Sequence, residues 1–170
     1  MRNISFKLTT QQFRDQTKTV TRRLAWEKLK VGTQLMGCEQ CQGIKAGQLV
    51  RLGGIVVVSI RREPLYDMLS DEEYGELECI REGFPDMKPR EFVEMFCDNM
   101  KCDDRKPLAR IEYDYLEVEA DQCPRCFARN EKAVIHGSDE VYCPQCRAIW
   151  TWRNPDGFKV GMKTVMEVRS

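Results

Sequence analysis

Four cysteines spaced C-x2-C-x16-C-x2-C, at Cys123, Cys126, Cys143 and Cys146, constrain the last third of this chain more than any other feature does. Each C-x2-C turn presents two sulfurs to one ion. Two such turns complete the tetrahedron of thiolates, each about 2.3 Å from the metal, that Zn2+ prefers. The sixteen residues between the turns suit a hairpin, with "VIHG" and "EVYC" as its strands and Gly137, Ser138 and Asp139 near its turn. A redox role needs only one C-x2-C pair and a thioredoxin-like surround, which the sequence lacks. The spacing therefore predicts a zinc ribbon with one structural Zn2+ per chain and no open coordination position for chemistry.

The chain has 9 cysteines. An odd number in a reducing compartment argues for metal ligands and buried thiols over a disulfide framework. Cys38, Cys41, Cys97 and Cys102 are more loosely spaced, and both a second metal site and buried thiols fit them. Cys79 reads as core within a helix. His136, the sole histidine, falls beside the hairpin turn, where exposure is expected, so a mechanism built on a histidine base is disfavoured. Trp150 and Trp152 either brace the ribbon or offer a face to a base or a partner.

With 170 residues, the chain suits one medium domain plus a small appendage. The pattern predicts a domain over 1–119 and a ribbon with its tail over 120–170. Alternation in "ISFKL" (4–8), "LKVGTQLMGCE" and "LARIEYDYLEVE" (108–119) predicts strands. "LVRLGGIVVVSIRREPL" predicts another, bent at Gly53-Gly54 and stopped by Pro64. "TTQQFRDQTK" is a short helix or turn. Ser70 with Glu73 forms a capping box opening a helix whose apolar stripe is Tyr74, Leu77 and Ile80. Pro89 starts another, with Phe92, Val93, Phe96 and Met100 on one side. The longest apolar run, around Ile55 to Val58, is too short to span a bilayer, and "MRNISFKLTT" lacks a leader's apolar core. No membrane partner and a cytoplasmic location are expected.

Lys and Arg number 27, as do Asp and Glu, giving a net charge of zero that hides an asymmetry. Residues 1–62 hold 12 basic against 3 acidic residues, residues 63–122 hold 7 against 19, and residues 123–170 hold 8 against 5. A basic first third points to a polyanion partner, because local potential captures the ligand; the alternative is that the basic and acidic segments neutralise each other. The densest basic stretch is "QTKTVTRR" (16–23). Arg22 and Arg23, with Lys18, are the candidate nucleic-acid contacts, since guanidinium forks match phosphate and carbonyl oxygens. In an extended segment Lys18 and Arg22 share one face while Thr21 and Arg23 share the other, and a bend at the helix end lets Lys18 and Thr21 converge. A desolvated lysine can act as a base, a neighbouring threonine as nucleophile and a carboxyl group as proton donor. A plain strand hydroxyl and a solvated helix end are the competing readings of Thr21 and Glu82.

The succession of "TKTVTRR" (17–23), "LKVG" (29–32), "REPL" (62–65) and "REGFPDMKPREFVEMF" (81–96) resembles the ASCH family over about residues 3–118. That resemblance implies an α+β fold, a PUA-like β-barrel with flanking helices, to which the zinc ribbon is an addition. It also implies a cleft that binds RNA, another nucleic acid or a modified nucleoside. In the family's small amidohydrolases, which deacetylate acetylcytidine, a lysine, a threonine and a glutamate carry the reaction. Lys18 and Thr21 match their Lys-x-x-Thr spacing, Glu82 of "REGF" matches the glutamate, and Arg23 a following arginine. The extra "CQGIKAG" loop, the longer stretch from Glu82 to Phe92 and the ribbon depart from those enzymes. The leading expectation is recognition of RNA or a modified nucleoside through a basic cleft, with DNA and a ribbon-docked protein as further partners. The alternative is a hydrolase, an amidohydrolase on acylated cytidine-type nucleosides or a nuclease, using Lys18, Thr21 and Glu82.

Overall fold

The computed structural model describes residues 1–26, 28–45 and 48–117, and the backbone of three short strands beyond them. The first part is a mixed α+β unit built on a curled, half-barrel sheet of five strands. Its elements are β1 (Arg2–Ser5), α1 (Thr10–Arg14), β2 (Val20–Arg23), β3 (Gln34–Cys38), β4 (Arg51–Glu63), α2 (Asp67–Ser70), α3 (Glu72–Arg81), α4 (Pro89–Met100) and β5 (Leu108–Tyr115). The strand order is β1-β3-β4-β5-β2. Only β1 and β3 run parallel. β1 and β2 are thus the two free edges.

β4 is the long spine of the sheet. It runs through Gly53 and Gly54 without a break, and its register shifts instead beside Leu52 against β3 and at Val58 against β5. Bulges of this kind bend a strand and raise its twist, which curls the sheet. Inside the curl, Phe6, Phe13, Leu35, Ile55, Ile111 and Tyr113 form one core. Phe13 lies against Gly37 so closely that a Cβ there would meet its ring at 2.4 Å.

A second core joins the sheet to the helices through Leu65, Met68, Cys79, Phe92, Val93 and Leu108. α4 begins at Pro89 as the sequence predicts, with Glu91 accepting from the Lys88 N–H at 2.9 Å. α3 departs from expectation twice. Ser70 ends α2, and the cap is Asp71, which accepts from the Tyr74 N–H. The helix also buries Gly75, Glu78 and Cys79, leaving Leu77 and Ile80 about half exposed. Ion pairs, not apolar periodicity, orient α3. Gly75 is where it meets its neighbours: an added Cβ would lie 2.2 Å from the Met68 carbonyl oxygen and 2.8 Å from the Pro89 ring. Because one obstacle is backbone, Gly75→Ala is expected to lose about 1–3 kcal/mol in urea unfolding, the cost of overpacking; unchanged stability would show that α2 and α4 can yield.

Beyond residue 117, β6 (Val134–His136), β7 (Glu140–Tyr142) and β8 (Ile149–Thr151) form a three-stranded antiparallel sheet. β6 and β7 pair as the expected hairpin, Val134 opposite Tyr142 and His136 opposite Glu140. Cys123, Cys126, Cys143 and Cys146 lie outside the described residues. Among those described, no three His, Cys, Asp or Glu residues gather as a metal site, so Cys38, Cys41, Cys97 and Cys102 do not assemble into one. Burial pushes the Cys38 thiol up to about 12, as for an inert core cysteine. No helix in the described residues is long and apolar enough to cross a membrane.

Candidate functional site

The seam between the free edges β1 and β2 is where the fold leaves room. There, beneath the face of α4, lies a cavity of about 140 Å³. Lys18, Thr21, Arg23 and Glu82 line its polar side, and Phe92 and Phe96 belong to its apolar wall. The site combines groups from a turn, a strand and a helix end that lie far apart in the chain.

Lys18 sits in the turn after α1, where Gln16 takes a left-handed conformation. Its backbone is tied on two sides: the Tyr115 hydroxyl donates to its carbonyl at 2.6 Å, and Thr19 N–H donates to the Arg81 carbonyl at 3.0 Å. This turn is the bend that brings Lys18 and Thr21 to one cavity. Glu82 is the C-terminal cap of α3. After it, Gly83 adopts φ +86°, donating to the Ile80 carbonyl while Phe84 N–H reaches the Cys79 carbonyl. These two bonds make a Schellman ending, which a side chain at Gly83 would strain. "REGF" is thus a helix stop that fixes the direction of Glu82.

The Lys18 Nζ donates to Glu82 Oε2 at 2.7 Å and to the Glu82 carbonyl at 2.5 Å. Arg22 donates to Glu82 Oε1 at 3.2 Å. Both carboxylate oxygens are therefore held. Lys18 and Glu82 are buried, and burial draws the Lys18 pKa below the ordinary lysine value although Glu82 pulls the other way. Among the described residues, none hydrogen-bonds the Thr21 hydroxyl.

Arg22, a candidate nucleic-acid contact, has a fully buried side chain. It donates to Glu63 at 2.5 Å and Glu78 at 2.7 Å as well as to Glu82. Burial opposes its charge, but these three carboxylates outweigh the cost and hold the guanidinium firmly protonated. A cation so committed has no fork left for a nucleic acid. The Lys18 ammonium is likewise bound to Glu82, so of the three expected contacts only Arg23 lacks a carboxylate partner among the described residues. The basic first third is to this extent neutralised from within by the acidic helix α3.

Sequence reasoning missed the partners behind Arg22. Glu78 receives Arg110 through two nitrogens, both at 2.7 Å, and Glu63 accepts from the Tyr74 hydroxyl at 2.8 Å. The available signal was Arg110 inside a predicted strand and a predicted helix carrying Glu73, Glu76 and Glu78.

No family model matches the chain, and no curated protein does. Among solved structures it is similar to one described as the hypothetical protein PH0355, at 16% identity over 68% of this chain and 96% of that one, with a TM-score of 0.44.

The arrangement can do two things chemically. It can hold a flat, hydrogen-bonding group between a polar side and an aromatic wall. It can also move a proton along the 2.7 Å contact between Lys18 and Glu82, beside a free hydroxyl.

Proposed function

We propose that this pocket binds an acylated cytidine-type nucleoside and hydrolyses its exocyclic amide. The observation that supports this best is a buried Lys18–Glu82 pair lining one cavity with the Thr21 hydroxyl. The resemblance of "TKTVTRR" and "REGF" to the ASCH amidohydrolases points the same way.

In the resting pair one proton is shared. When it sits on Glu82, Lys18 is a neutral amine. Lys18 then takes the Thr21 proton, the Thr21 oxygen forms a bond to the acyl carbon, and the C–N bond breaks as Glu82 protonates the departing amine. Water next attacks the acyl-threonine, giving its proton to Glu82 while Lys18 returns one to the Thr21 oxygen. The acid leaves, and the pair again holds one proton. Incubating the protein with acetylcytidine is expected to release cytidine and acetate; no turnover of acetylated or longer acylated cytidines would overturn the reading.

A second reading is recognition of a modified base, free or in RNA, without turnover. It is favoured by the two hydrogen bonds that hold the Lys18 ammonium to Glu82, a fixed arrangement suited to binding.

The C-terminal cysteines complete the proposal. Cys123, Cys126, Cys143 and Cys146 would hold one structural Zn2+ beside the β6–β7 hairpin; a thiolate site gathered only by folding turns metal affinity into folding free energy. Metal analysis is expected to give one zinc per chain, and strong chelation to unfold residues 120–152 while 1–117 stays folded. A metal-free chain with an intact ribbon would overturn this.

A further inference from the structure

One guanidinium in the pocket has no part in the chemistry above. Arg23 lines the cavity from the same strand face as Thr21, about 6–7 Å further along it. One terminal nitrogen donates to the Ser5 carbonyl, bridging β2 to β1. Its Cζ lies 5.6 Å from the centre of the Phe6 ring. Its Nε is buried with no hydrogen-bond partner. Arg23 is half-buried; the fully buried cations among the described residues, Lys18, Arg22 and Arg110, each have a carboxylate. Arg23 has no ion-pair partner among the described residues. Glu82 does not serve it, since both its oxygens are held by Lys18 and Arg22.

Holding a half-buried cation without a counter-ion carries part of the cost of burying a charge, and a bound anion would offset it. With Nε and Nη1 both without a hydrogen-bond partner among the described residues, this guanidinium has donors left for the oxygens of an anion. A second cation, Lys7, is exposed and lines the same cavity. Burial also lowers the Arg23 pKa, with Glu82 opposing, as expected of a charge awaiting its partner.

We propose that Arg23, with Lys7 beside it, forms a phosphate-binding subsite of this pocket. Resting on the nucleoside reading for the other end of the ligand, the natural ligand is then a nucleotide, its base toward Thr21 and its phosphate on Arg23. The subsite itself does not depend on turnover.

The test is calorimetric titration of the intact chain with cytidine and cytidine 5′-monophosphate at fixed ionic strength. The monophosphate is expected to bind at least tenfold tighter, and inorganic phosphate to compete with it. Arg23→Met should bring the monophosphate to the affinity of cytidine, and Lys7→Ala should weaken it several-fold without changing cytidine. Equal affinity of wild type for the two compounds, or an advantage intact in both variants, would overturn the subsite. Should Arg23→Met fail to fold, the wild-type comparison and Lys7→Ala decide alone. Binding of acetate but not of phosphate would overturn the phosphate assignment. A preference for the monophosphate without any deacylation would uphold the subsite while removing the hydrolase reading, so the two fail separately.

Discussion

Thr21→Val is expected to abolish deacylation of acetylcytidine while leaving the fold intact, and Lys18→Ala to slow it by about 10²–10⁴-fold, the range for a lost general base. The two variants differ in what they disturb. Valine matches the shape of threonine and removes only the hydroxyl, which none of the described residues hydrogen-bonds. Alanine at 18 also removes a cation from the buried Glu82 carboxylate, leaving Arg22 as its ion-pair partner, so its melting temperature should fall too. Thr21→Ser, which restores the hydroxyl, should recover turnover. The pH profile adds a readout that structure alone does not move. The active form is the pair with one proton, so the rate should be bell-shaped. Its falling limb marks loss of that proton and should lie below lysine's ordinary 10.5, because burial disfavours the ammonium. Full turnover in Thr21→Val, or a falling limb at or above the ordinary lysine value, would remove Lys18 and Thr21 from these roles.

What the sequence made legible follows from how local each cause is. α4 could be placed because Pro89 and the Phe92, Val93, Phe96 stripe are signals within a few turns. The β6–β7 hairpin was visible in the span between two C-x2-C turns, whereas the turn through Gly83 was not read from "REGF". The face of α3 was not legible. Tyr74, Leu77 and Ile80 carry the apolar spacing, but Glu78 is drawn inward by Arg22 and Arg110, from strands 56 and 32 residues away. Charge counts by segment showed that basic and acidic stretches coexist, and only the fold shows them meeting inside. The sequence reading likewise named Arg22 a candidate nucleic-acid contact and left open its neutralisation by an acidic segment. Local pattern cannot distinguish a guanidinium aimed at solvent from one aimed at a buried carboxylate. The strand predicted at 4–8 also moved to Arg2–Ser5, since Lys7–Thr9 turns into a short 3-10 helix to begin the crossover toward α1.

Glu78→Ala is expected to cost about 3–5 kcal/mol, because it breaks a buried ionic network by removing one member. The Glu78 side chain is fully buried. One oxygen accepts from both Arg22 and Arg110 and the other from Arg110, each at 2.7 Å. Without it, Arg22 keeps Glu63 and Glu82, and Arg110 keeps Glu112 at its edge. Glu78→Gln, of the same shape, should lose less, since an amide oxygen still accepts one of these bonds while its NH2 faces donors. Acid separates this network from ordinary packing. Burial alone would raise the Glu78 pKa, but hydrogen bonds from Arg110 and the charge of Arg22 prevail and hold it at about 2, against an ordinary 4.5. A folded pKa below the unfolded one gives stability that is present above about 4.5 and lost as pH falls toward 2. The drop from the ordinary 4.5 to about 2 corresponds to roughly 3 kcal/mol. Urea unfolding at pH 7 and near pH 3 should therefore show the gap between wild type and Glu78→Gln narrowing as pH falls. A gap that stays constant would mean that Glu78 contributes through shape and not through its charge.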